Sequence, residues 1–372
     1  MTVPLTFTCT LCKSTGENVE DLTKVINRRF VQQLNLPSGF SLWYDLYGEN
    51  YASAIVDASP RLKVWRPSTD AELAGDPTTV RQLVFYGVLP SDATAEDADY
   101  GFIDLQFQEP TCVFADRNLT ANVTYTQIDQ GTILWNLIAL QNARTNGDTW
   151  IKQGNTATGI LRDRTYVAGK NLAELVSEMT KVDGGCDVDF VPVDYYSVDG
   201  SRSMGVFSAF AKQGTDKPLA RFVYADSMTQ GQSGGLDSNV KNIKRRRAKA
   251  LTMATSVGVG GIVQSYQNTG SGFGLNEEYE TFSDVSVLQT LMDKSVGKVL
   301  NRQSAPQVFD IIGPTPEAPQ PFYDYNIGDT VYLTVRAGGF QVFNQPVRVM
   351  GIDIGIGQEG QLTDTKILVA TP

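Results

Sequence analysis

A β-rich α+β fold is predicted, with two small β-barrel domains flanking a mixed α+β region. Three observations predict it. Short stretches that alternate apolar and polar residues recur between 40 and 115 and again after 326. Longer apolar stripes at helical spacing fall between those regions, near 133–140, 172–179 and 287–299. Gly, Pro, Asn and Asp punctuate the strand blocks as turn residues do. The chain has 372 residues, enough to bury sizeable cores without disulfide or metal staples.

In chain order, Glu17 to Leu34 is expected as a leading helix. Leu22, Val25, Ile26 and Phe30 share one side, and Pro37-Ser-Gly39 is its stop. Phe40 to Leu46 is aromatic and strand-like, and Tyr51 to Asp57 is a further apolar run. Arg61-Leu-Lys-Val-Trp-Arg66 alternates strictly, as a half-buried strand does. Pro67 to Pro77 is a polar loop, Val80 to Leu89 a strong strand, and Ser91 to Asp99 an acidic loop. Gly101 to Gln108 and Thr111 to Ala115 are two more strands, which makes a small barrel or sandwich over about residues 38 to 120.

The pattern changes near Thr126. Gln130 to Arg144 is a helix stopped by Asn146-Gly147, and Lys170 to Lys181 is a second one stopped by Gly184-Gly185. Thr149 to Lys152 and Arg162 to Val167 are short strands. Cys186 to Asp194 alternates apolar and acidic residues. Asp199-Gly200 is a hairpin turn, with Met204 to Phe210 as the return strand and Ala220 to Ala225 as a candidate partner for it. Residues 227 to 237 form a Ser/Gly/Gln-rich loop, 250 to 263 a strand region, and Ser265 to Asn276 a polar loop. Val285 to Leu300 is a third helix, and Pro314 to Pro321 a stiff connector. Strands then return, and Ile327-Gly-Asp329 is a tight turn feeding Thr330 to Val335. The blocks divide the chain into four. Residues 1–125 are an N-terminal barrel with its leading helix, and 126–226 an α+β domain. Residues 227–310 hold strands and a helix, and 311–372 are a closing barrel segment.

Composition narrows the chemistry. There is no histidine. That removes Ser-His-Asp and Cys-His nucleophile systems, HExxH zinc sites and imidazole proton shuttles. Any catalysis would fall to carboxylates, Lys, Tyr or Cys. Lys+Arg is 31 against Asp+Glu 41, a net charge of -10. No run of about 18 apolar residues occurs, so no membrane span is expected, and Met1 to Cys12 lacks the pattern of a secretory leader. Cys9 and Cys12 form a C-x-x-C inside a strand-like stretch. Alternation sends them to opposite faces, which favours ordinary reduced thiols over a redox or zinc pair. Asn118-Leu-Thr and Asn122-Val-Thr match the glycosylation sequon and carry little without a leader.

Two charge clusters stand out. Lys241, Lys244, Arg245, Arg246, Arg247 and Lys249 form a basic run without interleaved aromatics. It is a candidate interface with an acidic neighbouring subunit. A solvated strand and phosphate contact are the competing readings. Asp183, Asp187, Asp189, Asp194 and Asp199 form an acidic cluster that lacks the spacing of a calcium loop. Asp187 and Asp189 share one strand face, about 7 Å apart, as an acid/base pair or as a plain solvent face. No phosphate-cradling loop or nucleophile elbow occurs, so no catalytic residue, cofactor site or metal site is assigned.

Several blocks in order resemble a known family. In the N-terminal part they are Leu62-Lys-Val-Trp-Arg66, Phe85-Tyr-Gly-Val-Leu89 and Phe102-Ile-Asp-Leu105. The middle contributes Ile133-Leu-Trp-Asn-Leu-Ile138, the Thr158-Gly159 turn, Arg162-Asp-Arg-Thr-Tyr166, Asn171-Leu-Ala-Glu-Leu175 and Gly184-Gly-Cys-Asp-Val-Asp-Phe190. Tyr325-Asn-Ile-Gly-Asp-Thr-Val331 closes the series. The order resembles that of the minor tail proteins, or baseplate hubs, of long-tailed actinobacteriophages, over about residues 38 to 372. The resemblance implies a structural tail-tip protein, related to the hubs of contractile tails and assembled in the host cytoplasm. It implies a homotrimer whose paired barrels give a pseudo-sixfold ring. Its expected neighbours are the distal tail protein ring, the tape-measure protein and tail fibre or receptor-binding proteins, with DNA passing through unbound. Three copies at -10 each would repel phosphates from an acidic wall. Docking is expected at the loops Pro67 to Pro77, Ser91 to Asp99, Met228 to Leu236 and Ser265 to Asn276. The alternative is a carbohydrate-binding protein or glycosidase acting on the host cell wall. It would use Trp43, Tyr44, Trp65 and Trp150 with the Asp187 and Asp189 carboxylates.

Overall fold

The computed structural model describes residues 6–22, 25–45, 60–76, 80–90, 94–97, 102–196, 202–225, 238–247, 249–270, 272–282, 285–303, 307–336 and 343–371. Tyr51 to Asp57, the Asp199-Gly200 turn and the loop Met228 to Leu236 lie outside them.

The N-terminal part holds β1 (Thr8–Cys12), β2 (Asn18–Asp21), β3 (Ile26–Gln33), β4 (Leu36–Asp45), β5 (Arg61–Pro67), the short helix α1 (Asp70–Gly75), β6 (Arg81–Val88), β7 (Thr94–Asp97) and β8 (Phe102–Gln108). The centre holds β9 (Val123–Asp129), α2 (Gln130–Asn142), β10 (Ile151–Gln153), β11 (Leu161–Tyr166), α3 (Leu172–Lys181), β12 (Asp187–Tyr196) and β13 (Arg202–Phe210). Beyond it come β14 (Asp216–Ala225), β15 (Val240–Arg247), β16 (Met253–Val257), β17 (Val263–Gln267), β18 (Glu277–Thr281) and α4 (Leu288–Leu300). The chain ends in β19 (Gln307–Pro314), β20 (Thr330–Arg336), β21 (Phe343–Ile356) and β22 (Leu362–Ala370).

The protein is β-rich α+β, as its patterning predicts. One 14-stranded sheet runs in the order β15-β19-β22-β21-β3-β4-β8-β6-β5-β1-β2, with β20 and β14 branching from β21, and β7 from β8. The two ends of the chain therefore meet: β3 pairs antiparallel with β21, Phe30 opposite Ile354. The strands β14, β20, β21, β22, β19 and β15 form a row whose ends are tied by Asn239 N–H donating to Val223 O at 3.0 Å. Among the described residues no ladder of paired strands closes either end of the chain into a barrel.

A single core lies under this sheet, with Phe30, Phe40, Phe85, Phe222 and Phe309 fully buried. Each such side chain contributes about 1.5–3 kcal/mol by leaving water. A second core packs α2 and α3 against β12 and β13 through Leu134, Leu137, Leu175, Met179 and Phe207. The three-stranded sheet β17-β16-β18 backs onto α4 through Leu251, Ala254 and Val299.

The starts of α1, α2 and α3 follow the capping rules, whereas α4 opens on Val287 without a side-chain cap. Asp129 caps α2, its Oδ1 accepting from Gly131 N–H at 2.9 Å and its Oδ2 from Thr158 and Gly159 N–H at 2.9 and 2.7 Å. Burial pushes this carboxyl up, but the three N–H donors outweigh it and hold it below the usual range. Gly131 is required there: a Cβ would meet Thr156 O at 2.4 Å. The turn at Gly328 forms as predicted, with φ +86° and Asp329 accepting from Asn326 N–H at 2.9 Å and from Thr215 N–H at 2.7 Å.

Four expectations are corrected. Glu17 to Leu34 is no helix but β2 and β3. Its apolar spacing suits a helix, yet Arg28 and Phe30 are buried on one strand face, and Arg28 donates to the carbonyls of Gly357 and Gln358. That long-range satisfaction of a buried cation outweighs the local period. Pro37-Ser-Gly39 accordingly lies inside β4 and stops nothing. Thr111 to Ala115 belongs to a 3-10 turn, Pro110–Asp116, because Pro110 presets φ and Cys112 N–H donates to Glu109 O. Ala220 to Ala225 pairs in parallel with β20 rather than with β13, which places Phe222 5.6 Å from Tyr325 in the main core.

The loop Pro67 to Pro77 contains α1, opened by a capping box between Thr69 and Glu72. Arg66 grips Glu72 with both nitrogens, at 2.8 and 2.7 Å, and pulls its carboxyl down to about 2. Thr69→Ala should cost about 1 kcal/mol in a urea titration, and an unchanged midpoint would show that the cap is idle.

Candidate interaction surfaces

The basic run is an edge strand. β15 stands at one end of the large sheet, hydrogen-bonded to β19 on one side. Its buried residues are Val240 and Ile243, while Lys241, Lys244, Arg246 and Arg247 are exposed and Arg245 half-buried; Lys249 follows, also exposed. Arg246 donates to Asp310 at 2.8 Å, and Lys366 approaches the same carboxylate at 3.7 Å. Arg246 is exposed and Asp310 buried, so the pair ties a solvated cation to a carboxylate inside β19. Among the described residues Lys241, Lys244 and Arg247 have no carboxylate within ion-pair distance. Beyond the Asn239 tie to β14, the cations on this strand deter indiscriminate edge-to-edge pairing and leave a surface selective for acidic partners. A cleft of about 740 Å³ opens where β3 meets β21, lined by Arg28, Arg29, Asp353, Asp364 and Lys366.

The acidic cluster is dispersed into separate contacts. Asp187 accepts from Asn35 Nδ2 at 3.1 Å, from Gln213 N–H at 2.8 Å and from the Arg348 guanidinium. It ties the centre of the chain to the β3–β4 turn and to β21. Asp194 accepts from Lys63 Nζ at 2.6 Å. Lys63 is fully buried, also donates to Asn18 Oδ1 at 2.9 Å and Gly16 O at 3.3 Å, and lies over the Tyr86 ring. Asp183 is exposed and uses its carbonyl to receive Arg162, and Asp199 lies outside the described residues. Asp187 and Asp189 do share a strand face, but it is an internal one turned toward Gln213.

Asp189 instead shares a cavity of about 110 Å³ with Glu109, walled by Leu36, Phe114, Val176, Phe190 and Phe207. Glu109 is 7% exposed and accepts from Thr111 Oγ1 at 2.6 Å. Burial pushes its carboxyl up to about 7 against the hydrogen bonds of Thr111 and Ser38, and the charge of Asp189 adds to the rise. Burial raises Asp189 too, opposed by Gln213. The cavity is well below the roughly 300–1,000 Å³ of ligand pockets, so a sugar ring does not fit it.

The aromatic residues named for sugar stacking are each engaged separately. Trp43 stacks near Phe102 at 6.3 Å, Tyr44 is buried, Arg81 lies 4.4 Å over Trp65, and Arg61 lies 4.1 Å over Trp150. Cys9 and Cys12 are both buried and unpaired in disulfides, and burial lifts Cys9 to about 11. Among the docking loops, Ser265 to Asn276 begins inside β17 and then exposes Phe273 and Leu275. The part of Ser91 to Asp99 that is described is the strand β7. Sequence reasoning missed Asn35, Lys63, Glu109 and Arg348. Asn35 alone carried a signal, as an Asn at a two-residue hairpin turn with φ +63°.

No family model and no curated protein matches the chain. Solved structures do. A 43 kDa tail protein of prophage MuSo2 from Shewanella oneidensis is similar with a TM-score of 0.60 and 12% identity, over 99% of this chain and 98% of that one. A tail protein from Neisseria meningitidis MC58 gives 0.55 at 11% identity, over 98% and 96%. Prophage tail protein gp18 from Listeria monocytogenes EGD-e gives 0.55 at 10%, over 98% and 94%. The chain therefore has the fold of phage tail proteins, end to end.

Proposed function

We propose that the chain is a structural subunit of a phage tail tip, a hub in which three copies surround a channel for the genome. The observation that carries this reading is the likeness to tail proteins over nearly the whole of both chains. The division into 1–125, 126–226, 227–310 and 311–372 follows the same reading, with the two β-rich ends as ring-forming units. The distal tail ring, the tape-measure protein and fibre or receptor-binding proteins are the neighbours such a hub would hold. DNA would pass without binding, because a net charge of -10 per copy disfavours phosphate contact.

The chain is read as a non-enzyme. Asp187 is consumed by Arg348, and Asp189 faces a cavity too small for a glycan. The edge strand β15, with Lys241, Lys244, Arg245, Arg246, Arg247 and Lys249, is the contact surface between copies. Lys244→Glu with Arg247→Glu leaves the Arg246–Asp310 pair intact and should weaken self-association at least about tenfold. Raised salt should weaken the unaltered protein in the same direction. Sedimentation of the full chain reads both. A mass unaffected by the double charge reversal would remove β15 from the interface.

A further inference from the structure

We propose that Lys63 and Asn18 join in an intramolecular amide bond, with Asp194 carrying the protons. This inference does not depend on the assembly reading and is tested on the single chain. Lys63 lies on β5, Asn18 opens β2 and Asp194 lies on β12, so three elements meet at one ammonium. The tight β1–β2 turn places Asn18. Lys13 N–H donates to Glu17 O at 2.9 Å, Gly16 N–H donates to Lys13 O at 2.7 Å, and Gly16 takes a φ of +79° that favours glycine. Lys63 Nζ donates to Asn18 Oδ1 at 2.9 Å, to Asp194 Oδ2 at 2.6 Å and to Gly16 O at 3.3 Å. Lys63 has no exposed surface, and its Nζ lies 5.2 Å over the Tyr86 ring.

An amine attacking an amide needs a base beside it, an acyl carbon in reach and little competing water. The Asn18 carbonyl carbon is one bond, about 1.23 Å, beyond the oxygen that Lys63 touches, so it lies within about 4 Å of Nζ. Attack takes place from about 3–3.5 Å. Asn18 is exposed, so a small turn of its side chain supplies the difference. Cys12 Sγ lies 3.5 Å from the same oxygen, a further donor toward the charge that develops there.

The freshly folded chain holds Lys63 and Asp194 as an ion pair, and the amide forms from it slowly. The Asp194 carboxylate takes one proton from the ammonium. The freed lone pair of Nζ attacks Asn18 Cγ, the new C–N bond forms, and Oδ1 takes up the π electrons of the carbonyl. Asp194 passes its proton to Nδ2, the Cγ–Nδ2 bond breaks as the carbonyl re-forms, and ammonia is released on the exposed side of Asn18. The ammonia carries off the surplus proton of Nζ, and Asp194 is a carboxylate again. An ammonium and a carboxamide have become a secondary amide and an ammonium ion, with no further reactant. The reaction runs once per chain and is no turnover. Its product ties β2, the end strand of the large sheet, to β5 across β1. A cross-link spanning 45 residues of sequence restricts the unfolded chain as a disulfide does, so the urea midpoint should rise as the amide accumulates.

Mass spectrometry of the full chain, sampled over days after folding at neutral pH, tests the bond. The mass should fall by one ammonia. Digestion should yield a branched peptide that joins Lys63 to Asn18, with no tryptic cut after Lys63. Asn18→Ala alters an exposed residue, should fold, and should yield no branch. A succinimide at an asparagine loses the same mass, but it would persist in Lys63→Met, which should keep its full mass. Asp194→Asn should slow the loss about a hundredfold or more. The branched peptide of the unaltered protein decides the matter even where the Lys63 or Asp194 variant fails to fold. Unaltered protein that keeps its full sequence mass, or loses ammonia without the Lys63–Asn18 branch, would overturn the proposal. An undiminished rate in Asp194→Asn would overturn the role given to that carboxylate.

Discussion

Asp187→Ala should destabilise the folded chain by about 3–5 kcal/mol, the largest effect expected of any single substitution outside the hydrophobic cores. The side chains of Asp187 and Arg348 retain 12% and 16% of their exposure, so removing the carboxylate strands a guanidinium in a place water barely reaches. The same change orphans the Asn35 amide and the Gln213 N–H, two donors from different parts of the chain. Asp187→Asn keeps an acceptor in place and should cost less, about 1–3 kcal/mol. A urea titration distinguishes the two, because the midpoint moves with stability while the slope stays constant in two-state unfolding. A loss under about 1 kcal/mol for the alanine variant would mean that β12 is held to β21 by packing alone.

Asp194→Ala should be nearly as damaging, for a different reason. Lys63 has no exposed surface, and its ammonium depends on Asp194, Asn18 and the carbonyl of Gly16. Without the carboxylate the buried charge keeps only neutral acceptors, and the chain either pays its desolvation or releases the proton; about 3–5 kcal/mol is expected. Adding Lys63→Met to Asp194→Ala should recover most of that loss, since a buried ion pair exchanged for apolar volume is often neutral. The double-mutant cycle therefore has a predicted sign: strong positive coupling between two sites 131 residues apart in sequence. Additive losses would show that Lys63 and Asp194 do not depend on each other.

Local patterns in the sequence were enough for much of the fold. Strict alternation located β5, a strong apolar run located β6, and apolar stripes at helical spacing located α2, α3 and α4. The failures share a cause. Leu22, Val25, Ile26 and Phe30 satisfy a helical period, but the residues that make this stretch a strand are Arg28 and its carbonyl acceptors more than 300 residues away. The partner of β14 was likewise misplaced, because sequential neighbours are the default and β20 lies far along the chain. The basic run was visible as charge, yet its position on a sheet edge depends on β19 and on the Asn239–Val223 tie. Asp187 and Asp189 were visible as a pair. Their division between an ion pair and a cavity depends on Arg348 and Glu109, which no spacing rule connects to them.

A density map of the intact tail tip tests the central claim most directly. Three copies of this chain about a threefold axis, with the cationic strand of each seated against the next, is the predicted result. A single copy, or particles that lack the chain altogether, would contradict it.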